Sequence, residues 1–204
     1  VLFSHGNGGR FRNHYLTAQA LADAGYIVIA PQHQADYLVG SRKTAAALNH
    51  RYLELKLSLN ALRSILDFST HIAPGPVHGV GYSLGGATIM LAAGAGFDSK
   101  EAAQHCEKNG VEDAVFCESP GFIFRMIQSF RSDVNLRSIP DSFRNEPIVN
   151  GKAVVIAPVY QGFTFKSGLS LTELTVIAIT GDTIAQPRFH AERLEQIAGV
   201  DVPS

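Results

Sequence analysis

The segment "HGVGYSLGGATIMLAAG", from His78 to Gly94, constrains the fold most, because glycines join an apolar run directly to a small-residue helical pattern. Strand-to-helix turns of this kind belong to sheets in which strands alternate with helices. Further apolar runs of strand length are "VLFSH", "YIVIAP", "KAVVIAP" and "LTVIAIT". Continuous apolar runs are typical of parallel strands buried on both faces. The sequence therefore predicts an α/β fold with a mostly parallel central sheet and helices on both faces.

Residues 97 to 150 interrupt the alternation of strands and helices. They contain both cysteines, three prolines and mixed polarity, and we interpret them as a helical cap inserted into a single domain of residues 1–204. A long helix is predicted from about Thr44 to Phe68, and a last helix from about Pro187 to Gly199. The apolar stripe expected on the long helix comprises Leu53, Leu57, Leu59, Leu62 and Ile65.

Ser83 lies in the middle of the glycine-rich turn, with Gly81 and Gly85 two residues away on either side. This spacing is that of a nucleophile elbow, in which larger flanking side chains would collide and the serine hydroxyl is exposed. The Leu84 N–H, at the start of the following helix, would then point at an oxyanion. One alternative is a turn that only packs. Phosphate binding is a weaker one, because the third glycine of a dinucleotide fingerprint would fall at Leu84.

Two other loops contain candidates for the second oxyanion donor and for the acid of a catalytic triad. "SHGNGG" ends the first strand and predicts a second oxyanion donor, the N–H of Asn7 or, less favoured, of Gly8. His5 precedes that turn and is expected to be a structural hydrogen-bonding residue. Asp182 follows the late strand "LTVIAIT" and is the predicted triad acid, with an ordinary loop aspartate as the alternative.

A general base is harder to find among the eight histidines of the chain. Only His190 follows Asp182, and it falls within an amphipathic helical pattern, so we expect a surface histidine there. The chain opens on "VLFSHGNGG", inside a predicted strand and without a methionine, so we expect a fragment of a longer protein. The catalytic histidine is accordingly expected beyond Ser204, and the 204 residues alone are expected to be inactive.

Composition excludes several classes of partner. The net charge is −1 and no long run of like charge occurs, so neither nucleic acid nor an anionic membrane surface is an expected partner. The apolar run around Ile89 to Phe97 is shorter than the roughly 20 residues of a bilayer span. Cys106 and Cys117 are either two thiols or a disulfide. A two-cysteine metal site is less favoured because only His105 is adjacent, and no metal or cofactor is expected.

With these residues in place, the chain resembles an α/β-hydrolase. More narrowly, it is similar to the predicted dienelactone hydrolases related to platelet-activating-factor acetylhydrolases. The matching segments include "VLFSHGNGG", "GVGYSLGGATIMLAAGAGFD" and "KAVVIAPVYQGFTFKSGLSLTELTVIAITGDT". Relatives usually space the late glycine and the acid as G-x-x-D, whereas Gly181 and Asp182 are adjacent here.

The resemblance implies an esterase or lipase-like hydrolase with Ser83 as nucleophile, Asp182 as acid, and the Asn7 and Leu84 amides as oxyanion hole. It also favours a Cys106–Cys117 disulfide and a periplasmic or secreted location, with the cytoplasm as the alternative. The expected substrate is a small ester with an apolar acyl or aromatic group, suggested by "YQGFTF" and by four apolar cap residues, Phe122, Phe124, Met126 and Phe130. The alternative function is a non-catalytic binding module on the same fold.

Overall fold

Four parallel strands form the central sheet, in the order β1 (Leu2–Ser4), β2 (Gly79–Tyr82), β5 (Lys152–Ile156) and β7 (Glu173–Ile177). The structure is a computed structural model that describes residues 1–34, 44–118, 142–166 and 168–198. Leu2 pairs with Gly79 and Val80 with Val154, so the carboxyl ends of the strands lie at one edge of the sheet. Loops that follow these ends therefore converge there, as ligand sites of open α/β sheets do.

Seven helices lie within the described ranges, with the bounds α1 (Tyr15–Asp23), α2 (Thr44–Ser64), α3 (Leu66–Ser69), α4 (Leu84–Ala92), α5 (Ser99–Asn109), α6 (Ala114–Glu118) and α7 (Ala191–Ala198). Strand β2 shows that helices cover both faces of the sheet. The ring of Tyr82 contacts His14 at the start of α1, whereas a Cβ on Gly79 would meet Ile89 of α4. Alternate residues of a strand point to opposite faces, so the predicted α/β architecture is confirmed.

The long helix forms where it was predicted, but its buried face differs. The predicted stripe is wrong at Leu53, Leu57 and Ile65, which are exposed, and the helix breaks at Ile65. Leu59 of that stripe is buried as predicted. The face that packs in the core consists of Leu48, Tyr52, Leu55 and Leu59, with Arg51 buried beside it. Leucines lie on two opposite sides of α2, and Leu53 and Leu57 are on the side away from Leu55 and Leu59. The predicted stripe combined residues from both sides.

Two further segments differ from the predicted elements. "YIVIAP" forms no extended strand and contributes an isolated parallel bridge between Ile29 and Leu2. The last helix begins at Ala191 rather than near Pro187, because the preceding residues form turns, in which Phe189 N–H donates to the Gln186 carbonyl. His190 therefore precedes the helix.

The region interpreted as a cap begins and ends in a small antiparallel sheet. Its strands are β3 (Gly96–Asp98), β4 (Ser142–Arg144) and β6 (Phe163–Thr164), in the order β4-β3-β6. The Asp98 carboxylate accepts a hydrogen bond from Lys100 N–H at 2.9 Å and caps α5. The four apolar residues expected in the cap, Phe122, Phe124, Met126 and Phe130, lie outside the described residues. The cap and its bounds therefore stay a prediction.

A disulfide joins the helices that follow β3. Cys106 on α5 and Cys117 on α6 are bonded, with their Cα atoms 5.5 Å apart, which confirms the pairing that the family resemblance implied. Phe116 packs with the two half-cystines in a small cluster apart from the main core, so the covalent bond supplements a small apolar contact. No helix in the described ranges is both long enough and apolar enough to span a membrane.

Removal of this disulfide tests its contribution to stability. The bridged residues are 11 apart, and a closed loop of this length stabilises the fold by about 3 kcal/mol on the chain-entropy estimate. We expect the Cys106→Ser/Cys117→Ser variant to lose about 2–3 kcal/mol in free energy of unfolding, measured by urea titration. Wild-type protein titrated with a thiol reductant is the matched control. Equal stability of the oxidised and reduced proteins would contradict the prediction.

Candidate active site

Ser83 occupies a strained turn at the carboxyl end of β2. Its φ and ψ angles are 53° and −121°, a left-handed conformation that a residue with a side chain rarely adopts. Neighbouring strands and helices hold it there: Ser83 N–H donates to the Ile156 carbonyl at 2.8 Å, and the Ser83 carbonyl accepts from Gly86 at 2.9 Å. The side chain is half-buried at the edge where the strand ends meet. This is the backbone geometry of the predicted nucleophile elbow.

The glycines around Ser83 are required by close backbone contacts. A Cβ on Gly81 would lie 2.4 Å from the Gly85 carbonyl oxygen, and a Cβ on Gly85 would lie 2.0 Å from the Ser4 carbonyl oxygen. A Cβ on Gly86 would lie 3.0 Å from Pro158. Helix α4 can thus approach β1 and β2 only because these positions have no side chain. This agrees with the sequence-based expectation that larger side chains would collide beside Ser83.

The loop after β1 lies against Ser83. A Cβ on Gly6 would lie 3.5 Å from the Ser83 Cβ, so the next residue, Asn7, is close to the elbow. Within the described residues, the structure shows no acceptor for the Asn7 N–H or the Leu84 N–H. The loop that contains Asn7 and the helix start at Leu84 therefore both adjoin Ser83. The role of the two amides in an oxyanion hole stays a prediction.

A chain of side-chain contacts, the Ser4 relay, runs from Ser4 at the end of β1 through His33 to Glu54. Ser4 Oγ lies 2.8 Å from His33 Nε2, and His33 Nδ1 lies 2.8 Å from a Glu54 carboxylate oxygen. The order serine, histidine, carboxylate is that of a catalytic triad, but Ser4 and His33 are both completely buried. No substrate could reach Ser4, so the relay is structural. Sequence reasoning did not find it, because its members come from three separated segments.

Asp182 follows β7, two strands away from β2 in the sheet. Its Oδ1 atom accepts hydrogen bonds from the N–H groups of Ile184 at 2.8 Å and Ala185 at 3.0 Å, which fixes the carboxylate in its loop. The residue also lines an open cavity of about 600 Å³. The structure shows no direct contact between Asp182 and Ser83, so a third group would have to bridge them in a triad.

His190 is not the surface histidine that its sequence context predicted. It is completely buried: its Nδ1 accepts from Tyr160 N–H at 3.2 Å and its Nε2 lies 3.3 Å from Asp113 Oδ2. His105 Nε2 contacts the same carboxylate oxygen at 2.8 Å. The prediction failed because the helix starts at Ala191 rather than near Pro187. His190 therefore lies in a turn, where its ring contacts His105 of α5 and Phe116 of α6.

Asp113 is the residue in this group that sequence reasoning missed. Burial by itself raises the pKa of its carboxyl, but the contacts with His190 and His105 outweigh that effect, and the pKa lies below its usual value. His105 is only eight residues from Asp113, but His190 comes from the last part of the chain, and no sequence pattern links the three residues. His190 Nδ1 accepts from Tyr160 N–H, whereas Nε2 faces Asp113 at 3.3 Å without a hydrogen bond. Because the ring is completely buried, it is not placed as a base for Ser83.

One group within the described residues has the composition of a metal site. Ligand atoms of His105, Cys106 and Cys117 lie within 4.8 Å of one another. The two sulfur atoms are bonded to each other, however, and a thiolate rather than a disulfide is the zinc ligand. His105 Nε2 is also directed at Asp113, so these residues do not fit a metal in the oxidised protein.

Sequence comparison identifies the family. Residues 1–200 match the family model described as "Alpha/beta hydrolase family". The chain belongs to the alpha/beta hydrolase family. Neither the curated proteins nor the solved structures gave a match to this sequence.

Membership of the alpha/beta hydrolase family supports a hydrolase that acts on a small-molecule substrate. It agrees with the sheet of parallel strands and with the fold class predicted from the strand and helix pattern. Members of one fold family can hydrolyse different bonds, because specificity resides in the site rather than in the fold.

Substitution of Gly85 tests the close contact beneath the elbow. We expect Gly85→Ala to destabilise the protein by more than about 3 kcal/mol, because the new methyl group would overlap the Ser4 carbonyl oxygen. Gly75→Ala is the matched control, since a Cβ there meets nothing within 4 Å and we expect a change within about 0.5 kcal/mol. Thermal unfolding compares the two variants. Similar melting temperatures for both would show that α4 does not depend on this contact.

Proposed function

We propose that the protein hydrolyses carboxylic esters through an acyl-enzyme on Ser83. The observation that carries the proposal is the backbone of Ser83, a φ of 53° at a strand-to-helix turn beside two amides with no acceptor among the described residues. A serine in this conformation presents its hydroxyl at the strand ends, where a carbonyl carbon could lie against it. The oxygen of that carbonyl would then lie between the Asn7 and Leu84 N–H groups.

In this mechanism the Ser83 oxygen attacks the ester carbonyl as a base removes its proton. Negative charge that develops on the carbonyl oxygen is stabilised by the Asn7 and Leu84 amides, and the N-terminus of α4 adds its dipole. The protonated base gives its proton to the leaving alcohol, and water then hydrolyses the acyl-enzyme by the reverse sequence of proton transfers. Asp182 is the proposed acid that orients the base, supported by its position after β7 and its fixed carboxylate.

We further propose that the base is a histidine outside residues 1–204. The histidines in the chain have other surroundings. His5, His33, His105 and His190 are engaged in buried hydrogen bonds or ion pairs, and His78 accepts a hydrogen bond from Lys152 at the opposite end of the sheet. His50 and His71 lie on or just after α2 and α3, and His14 contacts the rings of Phe3 and Tyr82.

A narrower assignment follows from the same residues. We propose a dienelactone hydrolase-like or platelet-activating-factor acetylhydrolase-like esterase whose substrate carries an apolar acyl or aromatic group. Tyr160, in the loop between β5 and β6, stacks on Phe165, which follows β6, with ring centroids 6.1 Å apart. The loop is anchored to the Ser83 carbonyl through Val159 N–H. The disulfide supports a periplasmic or secreted location, because such bonds persist in oxidising compartments.

Replacement of the nucleophile tests the function directly. In the full-length protein, Ser83→Ala should reduce p-nitrophenyl ester turnover to below about one hundredth of wild type, and a fluorophosphonate probe should label the wild type at Ser83 alone. Ser64→Ala is the matched control, because Ser64 is exposed on α2 and its hydroxyl bonds only to the Ala61 carbonyl. Turnover retained by Ser83→Ala, or labelling elsewhere, would refute the proposal.

Replacement of His14 tests the position of the base. His14 is the histidine that contacts the residue preceding Ser83, with ring centroids 5.1 Å apart. We expect His14→Asn to keep ester turnover within about threefold of wild type, because its ring makes aromatic contacts and no hydrogen bond among the residues that the structure describes. Turnover measured from pH 5 to 9 checks this. A loss comparable to that of Ser83→Ala would make His14 the base.

A further inference from the structure

We propose that Arg51 is a positioning residue that orients the Asn7 amide toward the oxyanion; this inference rests on the proposed function. Arg51 lies on α2 and is completely buried. Its Nη1 donates to the His5 carbonyl at 2.8 Å, and its Nη2 donates to the Gly6 carbonyl at 3.0 Å. One guanidinium thus holds two consecutive carbonyl groups of the loop that lies against Ser83.

The geometry of the peptide bond converts this contact into an orientation of Asn7. The Gly6 carbonyl and the Asn7 N–H belong to one peptide unit, and no cis peptide bond occurs within the described residues. In a trans peptide the C=O and N–H bonds point in opposite directions. With the Gly6 oxygen held toward Arg51, the Asn7 N–H points away from the protein interior. Asn7 itself is exposed, so the amide is directed at the open side of the site.

His5 holds the same carbonyl from a second direction. A backbone N–H can only donate, so the contact of His33 N–H with His5 Nε2 at 3.1 Å makes Nε2 an acceptor. The proton of the neutral ring is therefore on Nδ1, which donates to the Gly6 carbonyl at 2.8 Å. His5 is thus the structural hydrogen-bonding residue that the sequence predicted, and its acceptor is the carbonyl that Arg51 also holds.

A backbone hydrogen bond also closes the turn that contains Asn7. Gly9 N–H donates to the Gly6 carbonyl at 3.1 Å, and Gly8 has a φ of 62°, a conformation that glycine adopts without strain. Helix α2 supplies a second support, because Glu54 lies one turn after Arg51 and bonds His33, whose N–H holds the His5 ring. One helix face therefore fixes both the loop and the ring that bonds it.

The charge of Arg51 also acts through the peptide. A cationic donor on the carbonyl oxygen polarises the amide and makes its N–H a stronger donor, since hydrogen bonds in a chain strengthen one another. A lysine would retain the charge but could not hold two carbonyls in the fixed fork of a guanidinium. Arg51→Lys therefore separates orientation from charge.

In the full-length protein we expect Arg51→Lys to lower kcat for p-nitrophenyl esters by about 10- to 100-fold, with KM changed less than about threefold. The ratio of kcat/KM for an ester to that of its thionoester, whose sulfur is a poorer acceptor, should fall as well. A purely structural role would not change that ratio. Arg63→Lys, at the exposed end of α2, is the matched control.

A double-mutant cycle identifies the amide through which Arg51 acts. Asn7→Pro removes the N–H, and proline suits this second position of the turn. If Arg51 works through that amide, Arg51→Lys should cost less than about twofold in kcat on the Asn7→Pro background. Full additivity of the two effects, with both proteins folded, would overturn the proposal.

If Arg51→Lys does not fold, a second pair of variants tests whether hydrogen bonds to the Gly6 carbonyl orient the Asn7 amide. His5→Asn keeps a donor near the Nδ1 position, whereas His5→Leu removes it. The ester-to-thionoester ratio should be retained in His5→Asn and reduced in His5→Leu. Equal ratios in the two would contradict the inference.

Ser83→Ala distinguishes a wrong function from a wrong role of Arg51. If Ser83→Ala retains turnover, the proposed function is wrong. If it is inactive while the ester-to-thionoester ratios stay unchanged, only the role of Arg51 is wrong.

Discussion

The close approach of α4 to the first strand determines much of this structure. At Gly85 the helix backbone is so near the Ser4 carbonyl that a single added carbon would lie 2.0 Å from the oxygen. This contact places the first turn of α4 beside the end of β1, and so brings the Leu84 amide and the loop after Ser4 to the same place. The left-handed backbone of Ser83 is held by the same packing, because strain of this kind persists only where the surroundings enforce it.

Helix α2 then connects the core with the site. Its apolar residues Leu48, Tyr52 and Leu55 pack in the main cluster, while Arg51 between them reaches the carbonyls of the loop after β1. A buried guanidinium is costly to desolvate, and the carbonyl oxygens it contacts, with the Thr88 hydroxyl at 3.4 Å, offset part of that cost. The proposed gain is orientation: an amide that is already directed at the developing charge needs no rearrangement during the reaction.

The parts of the site that could be predicted from the sequence are those formed by residues close together in the chain. The glycines around Ser83 and the strand and helix on either side lie within a few positions, so the elbow could be read directly. The roles of Arg51 and Asp113 could not be predicted. Arg51 and His5 are 46 residues apart, and Asp113 contacts both His105, eight residues away, and His190 in the last part of the chain. The buried face of α2 was mispredicted because leucines occur on two opposite sides of the helix, and packing against α4 determines which side is buried. His190 was misassigned because the start of the last helix depends on turns that hold Phe189 and His190 to Gln186.

The contacts of Asp113 have a consequence for the protein in acid. A carboxyl whose pKa is lowered by folding stabilises the native state at every pH above the value of the unfolded chain, about 3.9. That contribution is lost only as the pH falls further, through the lower value of the folded protein. The junction of α5, α6 and the turn at His190 therefore keeps its buried charge in mildly acidic surroundings, where an aspartate of ordinary pKa would begin to take up a proton. The Cys106–Cys117 disulfide joins α5 and α6 at the same junction by a bond that does not titrate, so of these two links only the carboxylate makes the stability of the junction depend on pH.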